Sequence, residues 1–172
     1  MRYTWIRFYL QNLVKEEKPT ARPTTKEELI EIIKETIEKE GYNCDLNFID
    51  ISLVEDMSCL FKESQFNEDI SKWDVSKVKN MELMFHASEF NGDISNWNVS
   101  NVIDMLAMFE YSFFNGDISK WDVSKVKDLS YMFSNSQFNG DVSNWDVSNV
   151  KYKSYMFRNC TLEINLPEWY KF

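Results

Sequence analysis

The sequence predicts an α/β solenoid, a stack of short parallel strands and short helical segments closed at its N-terminal end by a helix. Three observations carry that expectation. A 24-residue unit recurs along most of the chain. Within it, apolar residues first alternate as on a strand and then recur at the spacing of a helix face. One amphipathic helical stretch precedes the first unit.

The period is read from its anchors. Trp73, Trp97, Trp121 and Trp145 lie 24 residues apart, as do Phe66, Phe90, Phe114 and Phe138, and Phe85, Phe109, Phe133 and Phe157. A degenerate copy begins at Tyr42, while Leu162, Leu166 and Trp169 open a partial one. The chain therefore divides into five units over 42–161 and a C-terminal partial unit or cap over 162–172. Repetition of this kind marks stacking of similar turns, none of which can bury its apolar side alone.

Residues 1–23 form an N-terminal segment and linker. Ile6, Leu10 and Leu13 fit a helix there, although Thr4, Ile6, Phe8 and Leu10 also alternate like a strand. Arg7 and Gln11 interrupt the apolar run, and neither a small-residue cleavage site nor a lipid-accepting Cys follows. The segment is thus expected to be neither a signal peptide nor a membrane span, which favours the cytoplasm over surface association. Residues 24–41, "TTKEELIEIIKETIEKEG", read as a capping helix. Thr25 and Glu28 form a capping box, Leu29, Ile30, Ile33 and Ile37 share a side, and Gly41 is the stop.

In each unit Ile70, Trp73 and Val75 read I-x-x-W-x-V, the spacing of the leucine-rich-repeat core, and predict a short strand. Val78, Met81, Met84 and Phe85 predict the helical segment. Ser76, Ser100, Ser124 and Ser148 read as its N-caps. Asn43, Asn67, Asn91, Asn115 and Asn139 mark a corner where stacked amides satisfy backbone groups, and Gly92, Gly116 and Gly140 supply permissive backbone beside them. At the last unit Lys153 stands where others have Met81, Met105 or Leu129, so its stem is expected along the core edge.

"FNGDISNWNVSNVIDMLAMF" and its copies resemble the repeats of mycoplasma-type surface lipoproteins and of BspA-type leucine-rich-repeat proteins. The resemblance runs from Tyr42 to Trp169. It implies a bacterial or mobile-element origin and a binding role, often at cell surfaces, and it brings no catalytic residues.

Composition agrees with a folded binding protein. The chain is 44% hydrophobic and 16% aromatic, and its net charge of −9 disfavours nucleic acid and anionic membranes as direct partners. Cys44, Cys59 and Cys160 lack metal-ligand spacing and read as thiols of a reducing compartment. His86 is the single histidine, and no nucleophile or carboxylate is placed by spacing to make it catalytic. The ladder Asp69, Asp93, Asp117 and Asp141 suits backbone capping better than calcium, which needs about 6–8 oxygen ligands. Neither cofactor nor metal is expected.

The outward positions of the predicted strand are the candidate partner-binding residues: Lys72 and Asp74, Asn96 and Asn98, Lys120 and Asp122, Asn144 and Asp146. They point to a non-enzymatic, monomeric module that recognises a protein through a polar strand face, and the charge balance favours a basic or neutral partner surface. An acidic decoy that inhibits a nucleic-acid-handling protein is the alternative, and a cell-surface adhesin the second.

Overall fold

The computed structural model describes residues 20–171, so the reading of residues 1–14 lies outside the described residues. Helix α1 spans Lys26–Glu40. Thr25 is its N-cap and accepts the Glu28 amide through Oγ1, while the Glu28 carboxylate turns back to the Thr24 amide at 2.7 Å and the Thr24 hydroxyl at 3.0 Å. The capping box therefore closes one residue earlier than its usual partner. Gly41, at φ 82°, ends the helix by donating to the Ile37 carbonyl. Leu29 and Ile33 enter the core beneath, and Lys26 hydrogen bonds to Ser58 of the first turn. Just before α1, Ala21 forms a parallel bridge with Ile49.

The expected α/β solenoid of parallel strands and short helices is not what forms. Among the described residues there is one α-helix, with short 3-10 segments at Thr161–Asn165 and Glu168–Tyr170, and no β-strand. Only single parallel bridges occur between units, Asp56 to Asn80, Asn80 to Asp104, Asp104 to Asp128 and Asp128 to Tyr152.

The predicted strand fails because its donors close within the unit. In the third unit Trp97 donates to the Ile94 carbonyl at 3.1 Å and Val102 to that of Val99 at 2.8 Å. Asp93 accepts the Ser95 amide at 2.9 Å, and Asn98 accepts that of Ser100 at 3.2 Å. These are tight turns and Asx turns, which leave no row of amides for a ladder.

The predicted helical segment fails for a different reason. Leu83 and Ala87 sit at φ 54° and 52°, and Ala107 and Tyr111 at 50° and 56°. A right-handed helix cannot run through such residues. The amides of Met81, Leu83, Phe85 and Ala87 donate instead to the carbonyls of Asp104, Leu106, Met108 and Glu110, all at 2.8–2.9 Å, in the next unit. Ser76, Ser100, Ser124 and Ser148 therefore cap no helix; each gives its amide to an Asx acceptor two residues before it.

What stacks, then, is a series of 24-residue turns, each a string of bends. Phe61, Phe85, Phe109, Phe133 and Phe157 form a central spine, with successive centroids 5.6–5.8 Å apart and planes within 12° of parallel. Among the described residues each tryptophan indole reaches the carbonyl 27 residues earlier, as Trp97 does to Ile70 at 3.2 Å. Asn91 donates its amide to the Asn67 side chain at 2.7 Å, and Asn115 and Asn139 continue this ladder at 2.8 Å.

Gly92, Gly116 and Gly140 do not take a left-handed φ. They make room. A Cβ at Gly92 would fall 2.8 Å from the Phe90 ring.

The C-terminal segment imitates a further turn. Trp169 bonds the Val142 carbonyl at 3.0 Å, the Glu163 carboxylate accepts the Asn159 amide at 2.8 Å, and Tyr170 packs edge-on against Phe157 at 5.0 Å. The Lys153 ammonium reaches the Trp169 carbonyl at 2.8 Å, its stem half-buried along the core edge.

Candidate functional site

All eight sequence-predicted binding residues are exposed. They lie on bends rather than on a strand, and they divide into two groups. Asp74, Asn98, Asp122 and Asp146 each accept a backbone amide, from Ser76, Ser100, Ser124 and Ser148, at 3.0–3.2 Å. The serine hydroxyls, then these amides, hold the carboxyls of Asp74, Asp122 and Asp146 below the ordinary carboxylate range. This group is part of the folding apparatus.

Lys72, Asn96, Lys120 and Asn144 form the other group. Asn96 and Asn144 make no hydrogen bond among the described residues, while Lys72 and Lys120 lie near enough to Asp69 and Asp117 to favour the ionised carboxyls. The four stand at the same position of successive turns and present their polar ends outward as a row.

The ladder of Asp69, Asp93, Asp117 and Asp141 is exposed, and each carboxylate accepts the amide two residues on, at 2.8–2.9 Å. Those bonds depress the carboxyl pKa values, at Asp93 and Asp141 against the repulsion of neighbouring rungs. Among the described residues no group of three or more His, Cys, Asp or Glu side chains is placed to hold a metal ion. Cys44 and Cys160 are buried and Cys59 is exposed; burial pushes the Cys160 thiol up.

His86 is largely buried. Its Nε2 lies 3.7 Å from Glu110 Oε2, its Nδ1 has no hydrogen-bond partner, and its ring meets Tyr111 edge-on at 5.8 Å. A carboxylate beside an imidazole can orient it, but no nucleophilic hydroxyl or thiol is bonded to His86 among the described residues. The imidazole packs against Tyr111.

That tyrosine belongs to a surface the sequence reading missed. Tyr111 and Phe113 are 55% and 53% exposed. The signal was present in the differences between copies: Tyr111 stands where other turns have Glu63, Ala87, Asn135 and Asn159, and Phe113 where they have Gln65, Glu89, Gln137 and Thr161. Attention to what the units share passes over such positions.

No helix among the described residues is long and apolar enough to cross a membrane. The profile of a family described as "Mycoplasma protein of unknown function, DUF285" matches residues 32–113 and 110–170. Comparison with curated proteins and with solved structures finds no match.

Proposed function

This chain belongs to the Mycoplasma DUF285 family, whose function is unknown, and on that premise we propose that it is a non-enzymatic protein-binding module. The stacked turns are the platform, and the row Lys72, Asn96, Lys120 and Asn144 docks a protein. One observation carries this reading: the neighbouring Asp74, Asn98, Asp122 and Asp146 are occupied by backbone amides, whereas the row projects from the same turns without a backbone task. A backbone already fixed by bonds between turns need not be ordered on binding, so only the side chains of the row lose freedom.

The resemblance to BspA-type repeat proteins supports binding over catalysis. The net charge of −9 favours a basic partner surface. In this reading the protein acts as a monomer in the cytoplasm.

The test begins with capture of partners on the immobilised chain, followed by calorimetric titration of the purified partner. Replacing Lys72, Asn96, Lys120 and Asn144 together by Ser should weaken the complex on the order of tenfold or more and leave the melting curve in place. Undiminished affinity would move docking off the row. Turnover of any substrate, abolished by a single substitution, would overturn the non-enzymatic reading.

A further inference from the structure

The third turn carries two exposed aromatic side chains outside the polar row, Tyr111 and Phe113. Ser112 is only 2% exposed, and its hydroxyl accepts the Phe114 amide at 3.1 Å. The amides on either side are tied to neighbouring turns, Tyr111 to the Ser134 carbonyl at 3.0 Å and Phe113 to that of Ser88 at 3.2 Å. Two large aromatic side chains therefore stand out from a backbone that is fixed on both sides.

Folding does not call for either ring. Tyr111 occupies a left-handed position, φ 56°, that other turns fill with Glu, Ala or Asn, and Phe113 a position filled elsewhere by Gln, Glu or Thr. Asn adopts that conformation more readily than Tyr. Exposed rings at such positions resemble the aromatic anchors of binding sites more than parts of a core.

The setting of the rings is acidic. Glu89 is the neighbour of Phe113 at the same position of the preceding turn, and Glu110 adjoins Tyr111 in sequence with its side chain 17% exposed. The position of Glu89 holds no Lys or Arg in any turn, and that of Glu110 holds His86 and Ser134 in the two adjacent turns, with Lys62 and Arg158 only two turns away. We infer that the patch of Tyr111, Phe113, Glu89 and Glu110 docks an arginine-bearing segment of a partner protein.

A guanidinium suits this arrangement because it lies flat on an aromatic face and pairs with carboxylates through its planar fork. A second copy of this chain does not suit it, since two molecules of charge −9 would bring these carboxylates together. An anionic lipid surface is repelled for the same reason. The patch shares no residue with the polar row, so either site can fail without the other.

The probe is a fluorescein-labelled peptide of alternating Gly and Arg, followed by anisotropy against the full chain at about 0.1 M salt, where distant surface charges are screened. A Gly-Lys peptide of equal length is the comparison. The double variant Tyr111→Asn and Phe113→Gln uses residues that other turns already carry, so folding is retained. It should weaken the Gly-Arg complex on the order of tenfold or more. Glu89→Gln, also present at that position in other turns, should weaken it several-fold. Tyr152→Asn, which alters an exposed ring elsewhere, should leave it unchanged. The inference is overturned if the Gly-Arg peptide does not bind, if the Gly-Lys peptide binds as tightly, or if the double variant binds like the parent.

Discussion

Phe90 lies across the α-carbon of Gly92, and this contact sets how closely the rings on either side of a unit boundary approach. The Phe85–Phe90, Phe109–Phe114 and Phe133–Phe138 centroids are 4.4, 4.2 and 4.0 Å apart. Where Glu68 replaces the glycine, Phe61 and Phe66 stand 5.0 Å apart. A Cβ is thus accommodated by a looser ring pair. Gly92→Ala should cost about 1–3 kcal/mol through that displacement, seen as a lower urea midpoint. The aspartates act at the same scale. Amides and serine hydroxyls hold Asp69, Asp74, Asp93, Asp117, Asp122, Asp141 and Asp146 below their usual pKa. A depressed folded-state pKa contributes stability above the unfolded value of about 3.9, lost as pH falls through the folded value. The melting temperature should therefore decline from about pH 4 downward. Asn98 makes the same bond without a titrating group, so Asp74→Asn should keep most of the neutral-pH stability and lose part of the acid sensitivity. An acid profile identical to the parent's would show that these bonds are absent in solution.

Within one turn, the tryptophan is both wedge and tie. Trp97 is 4% exposed and reaches into the preceding turn at the Ile70 carbonyl. Trp97→Ala should cost about 3–5 kcal/mol, since it opens a cavity and leaves that carbonyl without its donor. Asn96→Ser, one residue away and exposed, should stay within about 0.5 kcal/mol. Equilibrium unfolding of the two variants checks the contrast. The sequence shows this pattern well: the period, the buried anchors and the exposed polar positions all follow from which side chains can leave water. It does not show the backbone path. Val78, Met81, Met84 and Phe85 have helical spacing, yet Leu83 is left-handed without being Gly or Asn. Its conformation is imposed by amides bonded to the next turn, a non-local cause. The candidate site follows the same division, because exposure of Asp74 is legible while its bond to Ser76 depends on a bend that apolar spacing does not encode.

Across the whole molecule the two ends are closed by different means, an amphipathic helix at one and an imitation turn at the other. Leu162 is buried, and Trp169, Tyr170 and Leu166 pack against the last full turn. Removing residues 162–172 would uncover Phe157 and Met156. A loss of roughly 2 kcal/mol would lower the melting temperature by roughly 4–8 °C. The truncated protein should also associate, seen as a concentration-dependent mass in light scattering. A monomer with the parent's melting temperature would show that the segment contributes no closure.

The indole bonds, the asparagine ladder and the single bridges each join one turn only to its neighbour. Such an arrangement behaves as a one-dimensional chain of coupled units, in which a unit at the rim has one supporting interface and an interior unit has two. Opening then starts at the rims and moves inward like a zipper. Amide hydrogen exchange should record this as a gradient, with the Met105, Ala107 and Phe109 amides of the middle turn exchanging after their counterparts toward either rim.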